Sequence, residues 1–185
     1  MRTALISALA AIILLSVSAE RALFSQSKAP LPAQVQRGQD LFLKSPKGIA
    51  CGTCHTLAGV GTAVGPDLKV LGSAVGPHGL VMAMHMTMTA YVQEVQLGSG
   101  ITYPGMLKGK QGDEMEIWDL SQTPPVLRKV SSKEVTAMKG NTTWKHPPAT
   151  TEYTDQEVAD IVGFIKWAAT GATKVVKVED VAEGK

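Results

Sequence analysis

The stretch Cys51-Gly52-Thr53-Cys54-His55 decides how this chain folds. Two cysteines three positions apart, followed at once by a histidine, form the attachment motif of a c-type haem. Each thiol can add to one vinyl group on the same edge of the porphyrin, and the histidine then supplies the proximal nitrogen of the iron. The motif therefore predicts one covalently attached haem c that is held by Cys51, Cys54 and His55.

Other uses of a Cys-x-x-Cys pair fit this sequence less well. A redox pair of the thioredoxin type belongs in a βαβ unit, and the flanking sequence does not show that pattern. A structural zinc site takes four ligands, which is more than this motif supplies. The chain has two cysteines in all, so a scaffold of several disulfides is excluded.

The composition is that of a globular protein. Of the 185 residues, 44% are hydrophobic and 18% are charged, which excludes a disordered chain. The formal net charge is +2, whereas a nucleic-acid-binding domain of this size normally carries a much larger basic excess. Aromatic residues make up only 5%, so the core must be filled by aliphatic side chains or by a group that is not an amino acid.

Residues 1–19 have the pattern of a secretory signal peptide. Arg2 precedes an apolar run from Ala4 to Val17, and small residues follow at a spacing that signal peptidase accepts. The run is shorter than the about 20 residues that span a membrane, and an uncleaved N-terminal anchor is the alternative. We expect an exported, periplasmic protein in which residues 20–32 form a linker.

One helix is predicted before the haem motif and a second near the C-terminus. Ala33–Lys44 carries apolar residues at helical spacing, and its Gly38, a poor helix former, indicates the close approach of another helix. The second helix begins after Thr154, where Glu157 completes a capping box, and it ends at Gly171.

The segment between these helices has a part rich in glycine and proline and a part with the patterns of β-strands. Residues 56–79 contain eight glycines or prolines and are expected to be loop. Three or four antiparallel strands are predicted between about residues 91 and 130, because short alternating runs are separated by turns such as Ser99-Gly100. They form an insert between the haem motif and the last helix.

Together with Gly65-Pro66-Asp67-Leu68, these features resemble class I cytochrome c. The resemblance implies a mainly α fold, a small helical bundle around one covalent haem, in which the first and last helices cross at Gly38. It also implies that Pro66 offers its carbonyl to Nδ1 of His55 and that Leu68 packs on the haem face. The antiparallel β-meander is an insertion into this bundle.

The insert is similar to that of a cytochrome-like haem-binding domain of planctomycetes and acidobacteria, often fused to or encoded near sugar or alcohol dehydrogenases. The monohaem domain then covers about residues 33–172, and residues 173–185 form a C-terminal tail. Where those domains place Met-Pro before the last helix, this chain has His146-Pro147. We therefore predict His146 as the distal ligand, which gives bis-histidine iron and a low reduction potential because Met/His ligation raises it.

Other residues could fill the distal position. Met138 lies eight residues before His146, and Met106 lies within the predicted strands. His85 is interleaved with four methionines between residues 82 and 88, whose simpler role is packing against the porphyrin. An open sixth position is the remaining alternative.

The haem is the only chemical centre that the sequence indicates, so we expect an electron carrier and not an enzyme. The carrier would exchange single electrons with a redox partner protein, such as a periplasmic dehydrogenase or another cytochrome, and the insert would dock that partner. One alternative is a haem-based gas-binding or sensor protein with an open or labile sixth position. Another is a cytochrome subunit of a membrane or dehydrogenase complex, membrane-bound only if residues 1–19 are retained.

Overall fold

The fold combines a group of helices with a separate β-sheet. The computed structural model describes residues 30–86, 89–147 and 152–182, so the predicted signal peptide and most of the predicted linker lie outside the described residues. The helices are α1 (Ala33–Leu43), α2 (Leu68–Ala74), α3 (Pro77–His85) and α4 (Asp155–Thr170), with short 3-10 turns at Cys51–Thr53 and Val178–Asp180.

The strands follow in two groups. A small hairpin comes directly after the haem motif, and a five-stranded sheet lies between α3 and α4. Their bounds are β1 (Thr56–Leu57), β2 (Val60–Gly61), β3 (Gln93–Leu97), β4 (Thr102–Gln111), β5 (Glu114–Asp119), β6 (Val126–Ser131) and β7 (Val135–Gly140). The expectation of a mainly α fold therefore describes only the helical part.

Helices α1 and α4 cross at Gly38, as expected. A methyl group at this position would overlap the carbonyl oxygen of Asp160 and lie 2.8 Å from Cβ of Phe164. One turn further on, the rings of Phe42 and Phe164 meet edge to face, with centroids 5.4 Å apart. The two backbones thus touch because glycine removes the side chain between them.

The boundaries of α4 are those that the sequence predicts. Thr154 Oγ1 accepts a hydrogen bond from the backbone N–H of Glu157, and Glu157 Oε2 accepts one from the N–H of Thr154. Gly171 ends the helix in the left-handed conformation, with φ of 70°. The face between these caps is buried and supplies a large part of the helical core: Val158, Ile161, Val162, Phe164 and Ile165.

The expectation that residues 56–79 are all loop is wrong. Besides the hairpin, this segment forms α2 and the start of α3. Asp67 caps α2 by accepting from the N–H of Lys69, and Gly72 lets the helix approach Ile165 of α4. Lys166 Nζ then donates to the carbonyl oxygens of Gly72 and Val75 at 2.6 and 2.9 Å. Contacts with α4 thus outweigh the weak helix propensity of a glycine-rich segment.

The sheet has the order β6-β5-β4-β3-β7, and every neighbouring pair is antiparallel. Antiparallel strands are present where they were predicted, but the predicted range ends too early, because β7 lies beyond residue 130. This strand pairs with β3 at the far edge, where Met138 opposes Val95. Its own sequence, with Lys139 and Gly140 at the end, is a weak strand pattern, so pairing with β3 defines it.

One face of the sheet has a core of its own. Val95, Tyr103, Met115 and Ile117 are buried there, and Met138 packs against them. Gly105 lies under this cluster, since a Cβ there would come within 2.8 Å of Val95. The sheet is therefore a packed unit and not a loose flap.

The C-terminal tail packs against the helices as far as Ala182. Val176 and Val181 are only 6% and 3% exposed. The side-chain amide of Gln34 in α1 donates to the carbonyl of Val176 at 2.7 Å and accepts from its N–H at 2.9 Å. The tail thereby joins the first helix of the domain.

Among the described helices, none combines the length and the hydrophobicity that crossing a membrane requires.

Candidate haem site

The haem motif forms a tight turn against α1. The N–H groups of Cys54 and His55 both donate to the carbonyl of Cys51, at 3.1 and 2.9 Å. Gly52 is buried in this turn, and a Cβ there would meet Leu43 at 3.0 Å. Glycine at this position therefore allows the motif to lie directly on the first helix.

Both cysteines carry free thiols and no disulfide joins them. Burial raises the pKa of the Cys51 thiol to about 11 and also raises the pKa of Cys54. Protonated thiols are poor nucleophiles and poor metal ligands. The raised pKa values keep both thiols mainly protonated at neutral pH, which is not the state of a reactive redox pair.

The ring of His55 is oriented by the loop that follows the hairpin. Its Nδ1 lies 2.7 Å from the carbonyl oxygen of Pro66, close enough for the N–H to donate. The loop also touches the ring, since a Cβ at Gly65 would lie 2.8 Å from Cε1 of His55. With Nδ1 as the donor, Nε2 keeps its lone pair for a metal, which is the usual arrangement of a ligating histidine.

Backbone hydrogen bonds fix this loop to the motif. The N–H groups of Val64 and Gly65 donate to the carbonyl of Cys54 at 3.1 and 2.7 Å, and Thr62 N–H donates to Gly52 at 2.9 Å. Leu68, predicted to face the haem, is half-buried in the first turn of α2. The loop and the motif therefore form one rigid piece on the proximal side.

The structure places the ring of His146 beside that of His55. Their centroids are 5.9 Å apart and the planes are inclined by 41°. A metal–imidazole nitrogen bond is about 2 Å long, so two imidazoles that bind one metal from opposite sides have centres roughly 6 Å apart. The observed separation of the two rings is close to that spacing.

The state of the His146 side chain also suits a ligand. Burial, and after it the charge of His55, lower its pKa, against a smaller opposing effect of the Pro147 backbone. Its Nδ1 is buried and has no hydrogen-bond partner among the described residues. A neutral imidazole with unused hydrogen-bonding capacity is what a metal ligand requires.

A polar turn after β7 presents His146. The side-chain oxygen of Asn141 accepts from the N–H groups of Thr143 and Trp144 at 2.9 and 2.7 Å. Asn141 N–H in turn donates to the carbonyl of Val92 at 2.9 Å, which ties the turn to the start of the sheet. The indole of Trp144 then meets the ring of His146 at right angles, with centroids 6.3 Å apart.

The alternative ligands lie in other surroundings. Met138 lies within β7 and packs on the core cluster of the sheet, and Met106 lies on β4 opposite Trp118. His85 ends α3 and is exposed, as are the neighbouring Met82 and Met86. The ring contact with His55 is made by His146.

Trp118 is a residue near this site that sequence reasoning missed. Its indole N–H donates to the carbonyl oxygen of Ala63 at 3.0 Å. The alternation of β5 predicts which face of the strand the indole shares, but nothing in the sequence indicates a partner 55 positions away.

Residues 35–122 match the cytochrome c family. The match includes the motif Cys51–His55 and the Pro66 loop, and it ends before His146 and α4. It supports a c-type cytochrome, and the cofactor of this family is covalently attached haem c. No curated protein matches the chain. The free thiols of Cys51 and Cys54 beside the oriented ring of His55 are a donor set that fits such a haem.

Proposed function

We propose that this protein is an exported, monohaem c-type cytochrome that carries single electrons. Cys51 and Cys54 hold the haem through thioethers, His55 binds the iron on the proximal side, and His146 binds it on the distal side. The spacing of 5.9 Å between the two imidazole rings carries this proposal. When bound, the haem supplies one-electron chemistry at its iron.

The side chains around the haem set its potential. The carbonyl of Pro66 accepts the Nδ1–H of His55, which makes the ring more basic and favours the oxidised iron. A second imidazole in place of a thioether acts in the same direction, so we expect a low potential. With both axial positions filled by the chain, no position remains for a substrate, and the function is electron transfer.

The partner is a redox protein, for which we propose a periplasmic dehydrogenase or another cytochrome. The sheet supports a docking role because its polar face carries charges of both signs in cross-strand ion pairs. Lys139 pairs with Glu94 at 3.0 Å, and Lys108 pairs with Glu116 at 2.9 Å. Mixed charges of this kind favour the orientation of a partner and fast association over tight binding.

Spectra of the haem-loaded protein test the ligation. We expect covalent haem, a low-spin spectrum without the near-infrared band of a methionine ligand, and slow carbon monoxide binding to the ferrous form. Replacing His146 by Met should raise the potential and add that band. Replacing it by Ala should open the distal position and accelerate carbon monoxide binding. His78→Ala, which changes an exposed histidine of α3, is the matched control and should alter none of these.

Two results would contradict His146 ligation. A methionine band in the unaltered protein would point to Met138 or Met106. Rapid carbon monoxide binding by the unaltered protein would support the gas-binding alternative.

A further inference from the structure

The indole of Trp118 joins the five-stranded sheet to the loop that orients His55. Trp118 lies on β5 between Met106 of β4 and Leu127 of β6, so it stands in the interior of the sheet and not at an edge. Its N–H donates to the carbonyl of Ala63 at 3.0 Å. This bond attaches a rigid strand to the haem-side loop.

Ala63 is the point of the loop that the haem motif itself does not hold. The N–H of Val64 donates to Thr62 at 2.9 Å, which makes Ala63 the centre of a tight three-residue turn. The backbone bonds to the motif come from Thr62, Val64 and Gly65, on either side of that residue. Trp118 therefore binds the central residue of the turn, Ala63, whereas the haem motif binds the residues on either side of it.

We propose that Trp118 is a positioning residue for the proximal histidine. By fixing the turn at Ala63, it keeps the carbonyl of Pro66 in line with Nδ1 of His55. The loop is in contact with the ring at Gly65, so a displacement of the turn reaches the imidazole. This proposal rests on haem attachment at Cys51–His55 and does not depend on which residue is the distal ligand.

Removal of the indole N–H has a defined electronic effect. The carbonyl of Ala63 loses its partner, the turn gains freedom, and the hydrogen bond between Pro66 and His55 weakens. A less basic proximal ring stabilises the oxidised iron less, so the reduction potential rises. If Trp118 served only to pack the sheet, its replacement would change the stability of the protein and leave the reduction potential unchanged.

The haem-loaded Trp118→Phe variant tests this effect. We expect its one-electron equilibrium to shift toward the reduced state by up to about tenfold, which is about 59 mV. In NMR spectra the Nδ1–H of His55 should exchange with solvent faster than in the unaltered protein. Trp167→Phe is the matched control, because the indole of Trp167 makes no hydrogen bond within the described residues, and it should change neither quantity.

An unchanged potential together with unchanged Nδ1–H exchange in Trp118→Phe would overturn the proposal. A measurement on the unaltered protein covers the case in which the variant does not fold. The indole N–H of Trp118 should exchange more slowly than that of an unstructured peptide, and free exchange would also overturn the proposal. Missing haem or a methionine band in the absorption spectrum would instead contradict the proposed function, so the two failures are distinguishable.

Discussion

Gly38 sets how closely the first and last helices approach. Beside it, Asp160 is buried and accepts two hydrogen bonds from the guanidinium of Arg37, at 2.6 and 2.9 Å. A buried carboxylate is stable only when it is paired in this way, and the bidentate geometry is the strongest pairing available to it. The absence of a side chain at Gly38 thus permits both the backbone contact and the ion pair.

Gly38→Ala should therefore destabilise the protein. The added methyl group overlaps the backbone of Asp160, so α1 and α4 must separate, and we expect the free energy of unfolding to fall by about 1–3 kcal/mol. Denaturant titration measures this change. Gly140→Ala is the control, since a methyl group there meets open space and should shift stability by no more than about 0.5 kcal/mol.

The first turn of α4 is joined to the segment that precedes the haem motif. Glu157 forms an ion pair with Lys47 at 2.7 Å and also accepts from the N–H of Thr154. Lys47, and after it the Thr154 backbone, lower the pKa of Glu157 to about 2. The carboxylate therefore caps the helix and links it to the chain that leads into Cys51.

This lowered pKa predicts a pH-dependent contribution to stability. Because the folded-state pKa is below the ordinary value of 4.5, the contribution of Glu157 is complete above that pH and is lost as pH falls toward 2. Glu157→Gln should lower the melting temperature at pH 7, and the difference from the unaltered protein should shrink between pH 4.5 and 2. Thermal melts over this pH range measure it.

A constant difference in melting temperature over that range would contradict a role for the charge. The exposed Glu152 offers a matched control, because it makes no ion pair within the described part of the chain. Glu152→Gln should leave the melting temperature nearly unchanged at every pH.

The C-terminal tail of the domain packs against its first helix. Gln34 pairs with the backbone of Val176 through both atoms of its amide, across 142 residues of sequence. Gly163 of α4 makes room for this amide, since a Cβ there would lie 2.9 Å from its oxygen. Three distant parts of the chain thereby share one buried polar contact.

Val176→Ala should weaken this closure. Removing two methyl groups from a side chain that is 6% exposed should lower the free energy of unfolding by about 1–3 kcal/mol. The adjacent Val175 is 61% exposed, so Val175→Ala should change it by less than about 0.5 kcal/mol. Equal effects in the two variants would show that the tail does not stabilise the domain.

Local patterns predicted those parts of the fold that depend on few residues. The spacing of Cys51 to His55 favours haem attachment over the other uses of such a pair. The ends of α4 follow from Thr154 and Gly171 because caps act within one turn. The pairing of His146 with His55 was predicted instead from the resemblance to a family that has methionine at the position of His146.

The parts of the fold that were not predicted depend on contacts between residues that are distant in sequence. Strand β7 forms because β3 offers it a partner, and α2 forms because Lys166 of α4 holds its last carbonyls. The bond from Trp118 to Ala63 likewise requires the sheet to be folded and placed. A sequence read in short windows cannot show such partners.

Helices α1 and α4 are in contact but far apart in sequence, and this separation affects the order of folding and haem attachment. Arg37 and Asp160 are 123 residues apart, so their contact carries a large loop-closure entropy and forms late. In the folded chain, burial raises the pKa of the Cys51 thiol from its ordinary value to about 11. Since the thiolate is the reactive form, we expect thioether formation to precede the closure of α1 against α4.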